Sequence, residues 1–246
     1  MLKKYKIIII ACLVLVIAAA GVGFWYFNKN NSGGDNKQQD KITFTTGFTL
    51  LDDEKSLVNS EQVKLDPDAR AQFEKKVEEY KADLIAAADK DVKLADYNNL
   101  AIYEKYLGNY RESYNAYLQS LNLESQTRVS WQNFADVLLK MKALKSAEMA
   151  YKKAVELNKY IPESYVKLAD YYKAVGDSAQ VEATYKLGLE TIKQSMESDT
   201  LVLDAYAQWL VLQKKYEQAI KIYEELMVKQ PNNKAAIERK IESLKK

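Results

Sequence analysis

Residues 131–157 read WQNFADVLLKMKALKSAEMAYKKAVEL, and this stretch contains the pattern on which the fold depends. Large side chains recur at helical spacings among small ones, namely Trp131, Phe134, Leu138 and Tyr151 among Ala135, Ala147, Ala150 and Ala154. Apolar residues three and four positions apart share one face of an α-helix, so the stretch predicts two amphipathic helices. Alanines let two helix backbones approach closely, which indicates a hairpin made for packing.

The same arrangement recurs along the chain with a period of 34 residues. An alanine column comprises Ala101, Ala135, Ala169 and Ala207, and a tyrosine column comprises Tyr117, Tyr151, Tyr185 and Tyr223. The fourth unit is displaced by four residues, which come from a longer turn in TIKQSMESDT (191–200). A hairpin cannot bury its apolar face alone, so this period predicts stacked hairpins with one continuous core.

The pattern resembles the tetratricopeptide repeat (TPR) family, which pairs large and small residues on two helices per unit. Unit 128–161 supplies Trp131, Phe134, Ala135, Ala147, Tyr151 and Ala154, and unit 200–233 supplies Leu203, Tyr206, Ala207, Ala219, Tyr223 and Pro231. Unit 162–195 also fits, whereas unit 94–127 departs with Glu104, Ser113 and Ser120 at pattern positions. The resemblance covers residues 94–233 and implies an all-α solenoid of four TPR hairpins.

Helical patterns flank the repeats on both sides. Asp66-Pro67 predicts a helix start, because proline is favoured at the first helical position after an N-cap. The helix that follows should run to about Asp89, with Phe73, Val77, Tyr80, Leu84 and Ala88 facing inward, so that residues 66–93 cap the solenoid. Residues 234–246 predict a second cap, with Ile237, Ile241 and Leu244 inward.

Residues 7–27, IIIIACLVLVIAAAGVGFWYF, carry no charge over 21 positions. A helix of that length rises about 31 Å, which matches the hydrocarbon core of a bilayer. Lysines precede the run and aromatic residues close it, so we predict one transmembrane helix, with residues 1–6 in the cytoplasm. The alternative is a signal peptide cleaved after Ala18-Ala19-Ala20, which would leave an apolar mature terminus.

Residues 28–65 are predicted to be a tether followed by an extended segment. NKNNSGGDNKQQDK (28–41) is polar and flexible in composition, with a reach of roughly 20 Å. ITFTTGFTLL (42–51) alternates apolar and polar residues, which indicates an extended segment or a short strand.

Composition excludes several function classes. The chain has no histidine and one cysteine, Cys12, so internal disulfides, Cys/His zinc sites and histidine-based catalytic dyads or triads are excluded. Six of the 36 basic and two of the 34 acidic residues precede residue 42. The rest of the chain therefore has 30 basic and 32 acidic residues, and it lacks the surplus of basic residues expected of a nucleic-acid-binding protein. We expect no catalytic, metal or cofactor site; an enzyme would have to use Asp136, Asp170 and Lys167.

Stacked hairpins curve, and the first helix of each unit lines the concave surface. The predicted partner-binding residues on that surface are Asn98, Asn99, Ile102, Lys105, Gln132, Asn133, Asp136, Lys140, Val166, Lys167, Asp170, Lys173, Asp204 and Gln208. Tyr106, Leu139, Leu201, Ala205 and Val211 belong to the same predicted surface. Amides there can hydrogen-bond an extended peptide, because each offers a donor and an acceptor.

The family resemblance implies a membrane-anchored scaffold that binds a protein or peptide, in the manner of bacterial envelope assembly and secretion adaptors outside the cytoplasm. Some TPR modules grip a C-terminal carboxylate with lysine, asparagine and arginine, but the corresponding positions here include Ile102 and Glu163. Glu163 would repel a carboxylate, so that role is not expected. The alternative is a self-association module that forms a homo-oligomer without a separate ligand.

Overall fold

The computed structural model describes residues 46–245. In this part of the chain lie ten α-helices: α1 (Pro67–Ala86), α2 (Lys90–Leu107), α3 (Tyr110–Leu123), α4 (Arg128–Lys140), α5 (Leu144–Leu157), α6 (Pro162–Val175), α7 (Ser178–Ile192), α8 (Thr200–Leu212), α9 (Tyr216–Lys229) and α10 (Lys234–Leu244). Short 3₁₀ turns lie at Glu54–Ser56 and Pro231–Asn233. The tail, the predicted transmembrane helix 7–27 and the tether up to residue 45 lie outside the described residues. Within residues 46–245, no helix has the length and apolar character needed to cross a membrane.

Four successive helix pairs, α2–α3, α4–α5, α6–α7 and α8–α9, pack as hairpins, and each hairpin also contacts the next. The prediction of an all-α hairpin solenoid is therefore confirmed for the described residues. All four alanines of the alanine column are fully buried, and the four tyrosines of the tyrosine column are at most 3% exposed. Small residues on first helices and aromatic residues on second helices thus occupy corresponding places in successive layers.

Close approach explains why small residues recur. A Cβ added to Gly188 on α7 would lie 2.8 Å from Cγ of Tyr165 on α6, so a side chain there would force the two helices apart. The first unit has polar residues at pattern positions, and two of them, Ser113 and Glu104, form hydrogen bonds or ion pairs within the chain. Ser113 donates to the Ala101 carbonyl at 2.6 Å, and buried Glu104 accepts from the Asn109 side chain at 2.7 Å and pairs with Lys81 at 3.5 Å.

The turns within the hairpins use left-handed backbone conformations. Gly108 and Gly176 have φ of 86° and 80°, as expected for glycines that end α2 and α6. The second and fourth hairpins instead place Lys142 and Lys214 at φ of 64° and 58°. The sequence does not signal those two turns, because lysine has no preference for this region.

The boundary between α1 and α2 differs from the prediction. The helix predicted to reach Asp89 ends at Ala86, and Ala88, predicted to face inward, is exposed. The carboxylate of Asp89 caps α2 instead, accepting from the backbone N–H of Asp91 at 2.8 Å and of Val92 at 3.1 Å. An aspartate at an N-cap satisfies orphan N–H groups, so it starts the next helix at Lys90.

Residues 46–65, called the strap below, follow an irregular path without a strand and pack on the repeats. Phe48 is 4% exposed and its ring lies 5.0 Å from Phe134 and 6.1 Å from Trp131. The backbone N–H groups of Val58 and Glu61 donate to the carbonyls of Met141 and Gly108, both at 2.9 Å. The strap, the described part of the segment predicted to be extended, is therefore part of the folded unit.

The solenoid curves with its first helices on the inside. Consecutive first helices, α2, α4, α6 and α8, contact one another, whereas within residues 46–245 no contact joins consecutive second helices. Helices that lie closer together occupy the inner side of a curved stack. At the far end α10 buries Ile237 and Ile241 and half-buries Leu244, as the sequence predicts.

Candidate peptide-binding surface

The exposed side chains of α2, α4, α6 and α8 form one continuous surface, called the groove face below. All fourteen predicted partner-binding residues lie on these four helices, and each of them is at least partly exposed. The alternation of buried and exposed positions follows from the 3.6-residue helix period, since the opposite side of each helix packs on its second helix.

Buried tyrosines of the second helices reach the groove face with their hydroxyl groups. The Tyr151 hydroxyl donates to Oδ1 of Asp136, whose Oδ2 pairs with Lys167 Nζ at 3.2 Å. One unit further, Lys173 Nζ lies 2.5 Å from Asp170 and 3.0 Å from the Tyr185 hydroxyl. Burial raises the pKa of both tyrosines, and Asp136 raises that of Tyr151 further. The rings of the tyrosine column therefore fill the core, and the hydroxyl groups of Tyr151 and Tyr185 orient charges on the groove face.

The first unit lacks this arrangement. Ile102 stands where the next two units have an aspartate, and the Tyr117 hydroxyl has no hydrogen-bond partner among the described residues, although the amide of Asn133 lies beside it. Burial is the main reason that the pKa of Tyr117 is raised. This polar group is therefore buried next to the groove face without being satisfied.

Several predicted amides already have partners within the chain. Asn98 donates to the Leu94 carbonyl and accepts from Ser130, both at 2.9 Å. Gln132 accepts from Arg128 at 3.0 Å, and Gln208 donates to Asp204 at 2.7 Å. Within the described part, Asn99 has no side-chain hydrogen bond, and the Asn133 amide has only the Tyr117 hydroxyl beside it, so both amides can still form hydrogen bonds with a ligand.

A cavity of about 430 Å³, called the Lys105 pocket below, opens where the groove face meets the strap and α1. Its lining comprises Val63, Leu65, Phe73, Lys105, Tyr106, Tyr110, Asp136, Leu139 and Lys140. The Phe73 ring packs 5.6 Å from both Tyr103 and Tyr106, which fixes one wall. The volume lies in the range of small-ligand pockets, and most of the wall is apolar.

Charges in and near the Lys105 pocket are unbalanced. Burial lowers the pKa of Lys105, Asp136 offsets part of that effect, and nearby Lys167 and Lys140 lower the pKa further. Asp136 is the one carboxylate in the lining, and it is engaged by Tyr151 and Lys167. Among residues 46–245, neither Lys105 nor Lys140 forms an ion pair, so positive charge is in excess here.

Sequence reasoning found Lys105, Tyr106, Asp136, Leu139 and Lys140 but missed the other four lining residues. Val63 and Leu65 belong to the strap, for which the sequence predicts only a tether and an extended segment, and Phe73 belongs to a helix predicted to be a cap. The alternation of apolar residues indicates an extended segment, but it does not show on which surface that segment packs.

The carboxylates named for an enzyme do not meet each other. Asp136 pairs with Lys167, whereas Asp170 pairs with Lys173 one unit away. Across the part of the chain that the structure describes, no three Asp or Glu residues gather in a way that could hold a metal ion.

Comparison with known proteins adds a family and related folds. A family model described as the PRP39 N-terminal HAT repeat matches residues 71–246, so the match begins within α1 and includes α10. A search of curated proteins found no match. The crystal structure of MamA is similar, with a TM-score of 0.51 and 14% identity over 70% of this chain and 98% of that chain.

Two further solved structures bear the TPR name. One is a tetratricopeptide repeat protein from Parabacteroides merdae ATCC 43184, with a TM-score of 0.49 and 16% identity over 69% of this chain and 70% of that chain. The other is TTC0263, a thermophilic TPR protein in Thermus thermophilus, with a TM-score of 0.48 and 13% identity over 72% and 92% of the two chains. At 14% identity, the similarity to MamA concerns the fold alone.

Proposed function

The chain belongs to the PRP39 N-terminal HAT repeat family, a family of TPR-like helical repeats, and we propose that it is a scaffold that binds a protein or peptide along the groove face. The observation that carries this proposal is the Lys105 pocket together with the amides of Asn99 and Asn133 on the same face. Apolar walls, cations without ion pairs and amides on one inward-facing surface are the components of a ligand site.

The proposal assigns binding and no catalysis to this surface. The carboxylates that an enzyme would use are engaged, Asp136 by Tyr151 and Lys167, and Asp170 by Lys173. A general base has to reach the proton that it removes from its substrate, and both carboxylates are already occupied by partners within the chain.

The proposal also places the repeats at a membrane surface. Its support is the uncharged run of residues 7–27 with flanking lysines and aromatics. A single helix there would hold the scaffold close to the bilayer and raise the local concentration of a partner without any chemistry. By analogy with envelope adaptors, the repeats lie outside the cytoplasm of a bacterial cell. Alkaline extraction of membranes tests the anchor: the full chain should stay with the lipid, and a chain that lacks residues 7–27 should not.

Site-specific photocrosslinking tests the groove face. A photoreactive amino acid replaces Asn133 on α4 in the full chain, and the matched control replaces exposed Gln119 on α3, which belongs to a second helix. We expect one partner to be captured from Asn133 and to be reduced by competition with unlabelled protein. Equal capture from both positions, or none from Asn133, would contradict binding at the groove face.

Self-association is the second candidate. The last hairpin exposes Leu201 at 43% and Val228 at 79%, and exposed apolar side chains on a terminal repeat favour pairing with a second copy. Mass measurement in solution separates the two functions, because a stable dimer favours self-association and a monomer favours the scaffold. The fragment should start at residue 46, since a start at 66 would remove Phe48 and the rest of the strap from the core.

A further inference from the structure

The Lys105 pocket combines an apolar cavity with cations that lack counter-ions. Phe73, Tyr106 and Leu139 supply apolar walls from three different helices. A large aliphatic or aromatic side chain placed there would leave water and gain free energy in proportion to its buried apolar area. The pocket therefore has room and chemistry for one side chain of a ligand.

The two lysines define what should lie beside that side chain. Lys105 is half-buried, stands over the Tyr106 ring at 5.5 Å, and has no carboxylate within ion-pair distance among the described residues. Lys140 at the same cavity is exposed and equally lacks an ion pair in this part of the chain. An uncompensated, partly buried cation is unfavourable, and a carboxylate next to it restores the balance.

We infer that the Lys105 pocket recognises a peptide segment in which a large apolar side chain adjoins an acidic residue, with the apolar group in the cavity and the carboxylate between Lys105 and Lys140. This inference rests on the proposed function, since it names the class of partner that the groove face binds.

The neighbouring amides favour a peptide over an anionic lipid. Asn133 lies one helical turn before Asp136 on α4, and Asn99 occupies the equivalent position on α2. Within residues 46–245 the Asn99 amide lacks a side-chain hydrogen bond and the Asn133 amide has only the Tyr117 hydroxyl beside it, and each can donate to and accept from a peptide main chain. The acyl chain of a lipid has no hydrogen-bond donors or acceptors, so it could not form hydrogen bonds with either amide.

A peptide array provides the direct test. The probes are immobilised peptides with a fixed Gly-Ser frame and every pair of the twenty amino acids at two central positions, incubated with the full chain in detergent. We expect enrichment of pairs that join Leu, Ile, Phe, Met or Trp to Asp or Glu. Replacing the acidic member by its amide should weaken binding at least about tenfold, because a hydrogen bond to a charged group is lost.

Variants assign the enrichment to the pocket. Lys105→Met keeps the length of the side chain and removes the charge, and it should abolish the preference for the acidic member. Lys140→Glu should shift the preference towards Lys or Arg at that position. The matched control Lys152→Met removes an exposed lysine of α5, a second helix, and should leave the array pattern unchanged. Far-ultraviolet circular dichroism confirms that each variant is folded.

Each outcome decides the inference. Enrichment without an acidic member, an unchanged pattern with Lys105→Met, or binding to vesicles of acidic phospholipid but to no peptide would overturn it. If Asn133 crosslinking still captures a partner that binds Lys105→Met equally well, only the pocket assignment fails. If neither the array nor the crosslinker detects a partner at the groove face, the proposed function fails with it.

Discussion

Gly108 and Gly176 occupy the same position in the first and third hairpins, two periods apart, but their surroundings differ. Both lie in the left-handed region, with φ of 86° and 80°. A Cβ on Gly108 would stand 2.1 Å from the Glu61 carbonyl oxygen, whereas a Cβ on Gly176 would meet nothing within 4 Å. The strap covers the first turn and leaves the third bare.

The difference divides the solenoid into a strapped half and a bare half. In the strapped half, the carboxylate of Asp52 accepts from the backbone N–H of Lys145 and Ser146, at 3.2 and 2.9 Å, and so caps α5, whose own N-cap residue is Ala143. In the bare half, Asp177 caps its own helix α7. A segment outside the repeat pattern therefore supplies capping and burial to the first two hairpins, and repeat register alone does not determine local stability.

The largest expected effect is the loss of the strap's anchor. Phe48→Ala removes a buried ring packed on Trp131 and Phe134 and should lower the free energy of unfolding by about 3–5 kcal/mol. Leu187→Ala, in the bare half and 54% exposed, should change it by no more than about 0.5 kcal/mol. Urea unfolding followed by circular dichroism measures both, and similar effects would show that the strap does not stabilise the repeats.

Alanine substitutions at the two turn glycines should differ in their effect on stability. Gly176→Ala should lower the free energy of unfolding by about 1–2 kcal/mol, because alanine is strained at positive φ. Gly108→Ala has the same strain and also displaces the strap backbone, so we expect roughly 2 kcal/mol more. Equal urea midpoints for the two variants would mean that the close approach of Glu61 to this turn does not affect the free energy of unfolding.

Removal of a cap should have a smaller effect with a local signature. Asp52→Ala and Asp177→Ala each remove an N-cap acceptor and should each lower the free energy of unfolding by about 1 kcal/mol. Only Asp52→Ala loosens the strap as well, so only this variant should speed hydrogen exchange at the amides of Lys145 and Ser146. If exchange there is unchanged, the strap is not the cap of α5 in solution.

The repeat register was readable from the sequence because the same physical requirement recurs four times. Ala101, Ala135, Ala169 and Ala207 each stand where two helices touch, so their identity is constrained at one spacing. The packing of the strap on the repeats could not be predicted in this way, because the strap occurs only once in the chain. Phe48 packs on Phe134 far along the chain, and one occurrence provides no period to detect.

The groove face was predictable to the level of helix faces, but its internal pairing was not. Helical spacing placed Asp136 and Lys167 on the same surface, since each is exposed in its own helix. It could not show that Tyr151 would hold Asp136, or that Asn98 and Gln132 would be satisfied within the chain. Such pairings depend on rotamers and on distances between units, which a one-dimensional pattern does not contain.

The smallest expected effect is a pH dependence of opposite sign in the two halves. In the bare half, hydrogen bonds from Lys186 and Lys215, both at 2.7 Å, lower the pKa of Glu182 from its ordinary 4.5 to about 2. In the strapped half, burial and the nearby charge of Asp83 raise the pKa of Asp96 above its ordinary 3.8, and its Oδ2 has no partner among the described residues. Glu182 therefore stabilises the fold most when ionised, whereas ionised Asp96 destabilises it.

Two substitutions separate these contributions by their sign. A lowered pKa gives stability that is present above pH 4.5 and is lost as the pH falls towards 2, so Glu182→Gln should destabilise by about 1 kcal/mol at pH 7 and by progressively less in acid. A raised pKa gives a penalty that is present above the folded pKa, so Asp96→Asn should stabilise at pH 7, and the gain should vanish as the pH falls below 3.8. Urea midpoints of both variants relative to the wild type, measured from pH 3 to 7, test this, and a shift of the same sign at pH 7 would contradict the assignment of the two carboxylates.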